Sequence, residues 1–154
     1  MGVFMEIEIS SRKNMEALLQ KGIPVNTAII SFFDPVNKKN CLEYTPIAFE
    51  GKCAKFFMVG VHDIDLEVLP EYGLTFDSYL PEVTELATFI KEVHDAGMNI
   101  ICQCEYGQSR SAACAAAIRE YFYKDGITVF ADYRYYPNQL IFNKILAALQ
   151  LEKE

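Results

Sequence analysis

The sequence has no tryptophan, only two histidines, and a minority of basic residues, 14 Lys and Arg against 21 Asp and Glu for a formal net charge of -7. A pI near 4.9 argues against a surface for nucleic acid or anionic membrane, either of which needs a basic face. No His/Cys/Asp pattern has metal-ligand spacing, and no cofactor motif is present. Long hydrophobic runs are also missing. A membrane span needs about 18 to 20 uncharged apolar residues, and the runs that come closest, 23–33 and 112–118, fall short. The opening MGVFMEIEIS has no basic region of the kind that marks secretion. Gly2 is followed at the sixth position by Glu6, where a myristoylation motif requires Ser or Thr. Five cysteines, an odd number without framework spacing, read as reduced thiols in a cytoplasmic protein.

What is present is ordinary in bulk and uneven in detail. The 154 residues, 51% hydrophobic, suit one globular domain spanning 1–154. Residues 61–96 hold nine acids against Lys91 alone, so the whole net charge sits in a stretch that begins His62-Asp63-Ile64-Asp65. Such a stretch reads either as a solvated helix face plus an acidic loop or as the source of a reactive acid. Segments rich in β-branched and aromatic residues at 3–9, 25–33, 55–61 and 98–103 suit strands. Between and after them the spacing predicts helices: from a Ser10 or Ser11 cap to Gly22, over 80–95, over 111–123, and from Pro137-Asn138 onward. A short element near 128–133 lies before the last helix. Alternating strands and helices imply an α/β fold, a mainly parallel central sheet flanked by helices. The irregular piece 34–51 is either functional or hides a hairpin over 41–49.

The chemistry concentrates after the fourth strand, in Cys104-Glu105-Tyr106-Gly107-Gln108-Ser109-Arg110-Ser111 ahead of an alanine-rich helix. A loop that leaves a parallel strand and enters a helix gathers free backbone N–H groups near the positive end of the helix dipole, and so binds a tetrahedral oxyanion. Cys104 places a thiol under that anion and Arg110 a planar fork beside it, which grips two phosphate oxygens as a lysine cannot. The same groups favour a thiolate. Gly107 lets the backbone turn inward, Ser109 leaves room at the rim, and the Ser111 hydroxyl can donate to the sulfur. By composition, a cysteine with Arg six residues on and Ser or Thr next occurs by chance about 0.01 times in such a chain, which sets Cys104 apart from Cys41, Cys53, Cys102 and Cys114 as packing residues.

The segment QCEYGQSRSAA resembles the Cys-x5-Arg-Ser/Thr signature of the cysteine-dependent protein tyrosine phosphatase superfamily, and within it the dual-specificity and bacterial tyrosine-phosphatase-like branch. The likeness extends more weakly from about Lys55 to the C-terminus. It implies a three-layer sandwich and a phosphomonoester hydrolase that works through a phosphocysteine on Cys104, with phosphate held by Arg110 and by residues Glu105, Tyr106, Gly107, Gln108 and Ser109. It also implies a general acid on the loop after an earlier strand. Asp63 matches the strand-end position best, Asp65 is second, and Asp77 is the fallback, its plainer reading being a helix cap. Gln103 departs from the pattern, since most of the superfamily has a histidine there that orients the loop; weaker activation of Cys104 is the expectation. The loop interior carries no lysine, so a phosphotyrosine-containing protein or small aryl phosphate is expected as substrate rather than a polyanion. His62 and His94 read as structural and solvent-facing respectively, and Tyr133-Arg134-Tyr135-Tyr136 either walls the pocket or covers the core. Two other readings use the same loop: a catalytically silent phosphate-binding module, and arsenate reduction through a cysteine relay.

Overall fold

Residues 4–35 and 45–151 are described by the computed structural model. Four strands, β1 (Ile7–Ser10), β2 (Thr27–Phe33), β3 (Lys55–Gly60) and β4 (Asn99–Gln103), pair in the order β1-β4-β2-β3, every pair parallel. Parallel neighbours need crossovers. Helix α1 (Arg12–Lys21) lies between β1 and β2 and α2 (Val83–Asp95) between β3 and β4, while α3 (Arg110–Tyr123), the single turn α4 (Ile127–Phe130) and α5 (Gln139–Leu151) follow β4. No helix among the described residues is long and apolar enough to cross a membrane.

Because successive strand residues face opposite ways, the sheet builds two cores. Ile29 and Ile101 meet Met15, Leu18 and Leu19 of α1 on one face. Ile30, Phe32, Ile100 and Cys102 meet Leu86, Ile90, Ile118, Ile141 and Ile145 of α2, α3 and α5 on the other. The result is the α/β fold with helices on both faces of a parallel sheet. The alanine run of α3 lets that helix sit deep, so that every residue from Arg110 to Ile118 is buried.

The ends follow local chemistry. Ser11 caps α1, accepting from the Asn14 amide at 3.1 Å, and Gly22 ends it at φ 104°. Asn138 caps α5, its Oδ1 accepting from the Ile141 amide at 2.8 Å. Three expectations need correction. The helix expected from residue 80 begins at Val83, because Leu80 precedes Pro81, which disfavours helical backbone there, and takes φ 58° instead. Asp77 therefore caps nothing and lies in the turn before Tyr79; burial lowers the pKa of Lys144, and the Asp77 charge only partly offsets this. The acidic connection through Glu67 and Pro70 is not irregular: Leu66–Tyr72 forms a 3-10 segment closed by Gly73 at φ 70°. The hairpin over 41–49 falls partly outside the described residues, at 41–44, and 45–49 form no strand.

All four strands run the same way, so their carboxyl ends share one edge of the sheet. There Ser10–Arg12, Asp34, Val61–Asp63 and Cys104–Arg110 leave β1, β2, β3 and β4. In open α/β sheets this edge is where ligands bind.

Candidate active site

Cys104 is the first residue after β4 and is buried, at 2% exposure. Its sulfur lies 3.1 Å from the Ser111 hydroxyl and accepts the Ser111 amide at 3.4 Å, so the first turn of α3 is directed at it. Between them the loop turns its carbonyls outward. The Glu105 carbonyl accepts from the Arg12 amide at 3.0 Å, that of Gln108 from Tyr136 at 2.8 Å, and that of Ser109 from Asn138 at 3.2 Å and Ala113 at 2.9 Å. None of the six backbone N–H groups from Glu105 to Arg110 has an acceptor among the described residues. Carbonyls tied to the surrounding protein and unpaired amides on the loop are the arrangement an anion completes.

Arg110 extends the same logic. The side chain is nearly fully buried; one terminal nitrogen donates to Asp34 at 2.7 Å and to the Val61 carbonyl at 2.9 Å, while Nε has no partner among the described residues. The guanidinium is thus anchored on its far side by the ends of β2 and β3, with its remaining donor capacity unspent. A buried, unpaired guanidinium N–H is costly, and a phosphate oxygen is the partner its fork fits.

Gly107 is required twice. Its φ is 69°, and a Cβ there would lie 2.8 Å from the Ser11 amide nitrogen and 2.9 Å from the Ser10 carbonyl carbon, both backbone atoms. The loop is pressed against the start of α1, where the Cys104 amide also donates to the Ser10 carbonyl at 3.2 Å.

Gln103, expected to weaken the activation of Cys104, is buried at 3% exposure and bonded at both ends. Its Nε2 donates to the Cys104 carbonyl at 3.0 Å and its Oε1 accepts the Ser31 hydroxyl in a very short hydrogen bond. The amide thus braces the nucleophile's own peptide group against β2.

Of the acids, Asp63 touches the loop and Asp65 does not. Asp63 Oδ1 accepts from the Ser109 hydroxyl at 2.7 Å and from the Asn138 amide at 2.8 Å, and the same amide donates to the Ile64 carbonyl at 3.0 Å. The backbone beside it is held by Tyr79, whose hydroxyl donates to the His62 carbonyl in a short bond. Burial and then the Asp63 charge push that phenol far above its usual range, so it remains a donor. Asp65 precedes the 3-10 segment and lines, with Asp63 and Ser109, a cleft of about 510 Å³ that does not include Cys104.

The remaining predicted residues divide. Tyr136 lines that cleft and Tyr133 is exposed, whereas Tyr135 packs with Ala112, Ala116 and Val129. Arg134 forks onto Asp132 at 2.7 to 3.2 Å, holding that carboxyl at about 2, so its charge is already matched. His62 packs near Tyr72, and His94, expected to face solvent, stacks on Phe122 at 3.9 Å. Cys102 and Cys114 are fully buried, and their mutual hydrogen bond, then burial, push the Cys102 thiol well up. No three His, Cys, Asp or Glu side chains gather as metal ligands among the described residues. Sequence reasoning missed Asp34, Tyr79, Ser31 and the hold of Asn138 on Asp63. An acid just beyond a parallel strand's carboxyl end was the one available signal, and it fitted Asp34 as well as Asp63.

No family model and no curated protein matches the chain. Solved structures do. Tk-PTP in its active form superposes with a TM-score of 0.56 at 11% identity, over 97% of this chain and 94% of that one. Cydia pomonella PTP-2 phosphatase gives 0.55 at 13%, over 94% and 86%. Human DUSP28 gives 0.53 at 16%, over 97% and 95%. The fold is that of the tyrosine phosphatases. At these identities the likeness concerns the tyrosine-phosphatase fold alone, and the chemistry rests on the residues of this chain.

Proposed function

We propose that the chain is a phosphomonoester hydrolase of the cysteine-dependent tyrosine-phosphatase type. One observation carries this reading: six unpaired loop amides and the unpartnered, buried Arg110 Nε belong to a single loop that opens on a buried thiol. Phosphate bound there by the amides and Arg110 has Cys104 beneath it. Attack of the Cys104 sulfur forms a phosphorus–sulfur bond as the phosphorus–oxygen bond to the leaving group breaks, and Asp63 gives its proton to the departing oxygen. Water then displaces sulfur from phosphorus, with Asp63 taking the water's proton and the Ser111 hydroxyl stabilising the thiolate that leaves. The amides, dipole and Arg110 stabilise the charge on the transferring group in both steps, and the mechanism needs no metal.

The loop offers one arginine and no lysine, and Arg134 is matched by Asp132, so a single phosphate on a phenol fits better than a polyanion. One neighbour of this fold was solved with PI(5)P. Here Asp63, bonded to the loop, and Asp65 and Glu67 beside it oppose a polyanion and favour phosphotyrosine. A second reading is phosphate binding without turnover, in which Asp63 serves to brace the loop through Ser109 and Asn138. Turnover of p-nitrophenyl phosphate separates the two. Wild type is expected to hydrolyse it, Cys104→Ser to lose all activity, and Asp63→Asn to flatten the basic limb of the pH profile. Retained vanadate binding with no wild-type turnover would establish the silent module instead.

A further inference from the structure

Beside the phosphate loop, between the 3-10 segment and the start of α5, lies the cleft of about 510 Å³. Its inner wall is shared with the reaction site, since Ser109 belongs to the loop and Asp63 is bonded to it. The volume is that of a small-ligand pocket, and its border with the loop sets it beside the residues one or two positions from a phosphotyrosine seated over Cys104. Asp65 and Glu67 are exposed there and form no ion pair among the described residues, and no lysine or arginine lines the cleft. Next to the carboxylates stand Leu66, Phe76 and Tyr136, which are 58%, 46% and 69% exposed.

Carboxylates beside exposed apolar and aromatic surface match a long cationic side chain: the stem lies on the apolar part and the charged head reaches the acids. The chain's own Lys144 illustrates the match from behind, its ammonium donating to the Phe76 carbonyl at 2.7 Å and lying 4.7 Å from that ring's centre. That lysine is almost fully buried and does not line the cleft. The other flank of the loop has different chemistry, a smaller cleft of about 400 Å³ in which Arg12 and Lys13 offset Glu16 and Glu105 beside Tyr106. A cation is therefore favoured on one side of the phosphorylated residue only.

We propose that the cleft is a specificity subsite for a lysine or arginine flanking the phosphotyrosine of a peptide substrate. The inference rests on the hydrolase reading of the neighbouring loop and adds the substrate class to it. The attraction is between partly exposed charges, worth about fivefold between an arginine and a glutamate peptide and weakened by salt.

The test uses fluorescent phosphotyrosyl peptides that differ only in carrying Arg, Ala or Glu at the first or second position on either side. Binding to Cys104→Ser and kcat/KM with wild type are both measured, with p-nitrophenyl phosphate turnover by wild type alongside. Arg is expected to exceed Glu on one side only, in both measurements at low salt. In Glu67→Lys, whose folding is checked by its thermal transition, that Arg-to-Glu ratio is expected to fall to one or below. Equal binding of the Arg and Glu peptides overturns the subsite, as does a ratio that survives Glu67→Lys. Absence of aryl phosphate turnover overturns the hydrolase reading alone, because peptide binding to Cys104→Ser still decides the subsite. Failure of Cys104→Ser to bind any phosphopeptide, with aryl phosphate turnover by wild type intact, overturns the subsite alone.

Discussion

Arg110 can present its unpaired Nε to a ligand only because the far side of the guanidinium is fixed by two strand ends. Asp34 supplies the charge there, at 49% exposure, and the buried Val61 carbonyl supplies the second acceptor. Asp34→Asn keeps an acceptor oxygen but removes the charge, so the fork loses orientation while remaining present. A fall in kcat/KM of about tenfold is expected, carried more by KM than by kcat, since phosphate binding precedes chemistry. Steady-state kinetics with an aryl phosphate check it, and a change confined to kcat would contradict the anchoring role. Gln103 is the second residue whose work is positional. Gln103→Leu leaves the Ser31 hydroxyl and the Cys104 carbonyl without their buried partner, a loss of about 1 to 3 kcal/mol measurable by urea unfolding. A lower kcat should accompany it. Neither residue's role was visible in the sequence. Asp34 and Arg110 are 76 positions apart, and Gln103 and Ser31 are 72, so only the strand register that pairs Ser31 with Gln103 brings them together. The contact of Cys104 with Ser111 was legible because the helix start makes neighbours of residues close in sequence.

At the scale of elements, the loop is held less by its own residues than by those around it. The start of α1 presses on Gly107, and the Tyr136–Asn138 segment takes the Gln108 and Ser109 carbonyls. Gly107→Ala tests the first of these. It places a Cβ against the Ser10–Ser11 backbone at a φ of 69°, a cost of about 1 to 3 kcal/mol in strain that the loop can relieve only by moving away from α1. Reduced stability together with a large loss of turnover is expected; full activity in the alanine variant would show that the contact is not needed. The same elements explain what the sequence disclosed. The strands were legible as runs of β-branched and aromatic residues because the middle two are buried on both faces, and α1, α2 and α5 from apolar spacing because they bury one side. The 3-10 segment was not, since Pro70 and four neighbouring acids and polar residues hide its turn, and α2 was extended by three residues because Leu80, apolar and in register, is buried from outside the helix.

The whole molecule adds a coupling that no residue shows alone. Turns from all four strand ends meet at the loop: Ser10 and Arg12 through backbone bonds, Asp34 and Val61 through Arg110, Asp63 through Ser109. An oxyanion bound by the loop amides and Arg110 therefore joins elements that span the sheet from β1 to β3, despite a net charge of -7. The distant acids act through solvent and are screened, whereas the amides and guanidinium act at contact. Vanadate or phosphate at about 100 times its dissociation constant should stabilise the folded state by about 2.7 kcal/mol, which for a chain of this size is a rise in Tm of roughly 5 to 10 °C. Hydrogen exchange should slow at all four strand ends together, and not in the loop alone. Cys104→Ser keeps every anion donor and should show the same rise; Arg110→Ala should lose most of it. A rise that persists in Arg110→Ala would place the anion elsewhere, and protection limited to residues 104–110 would mean that the four ends are neighbours without being coupled.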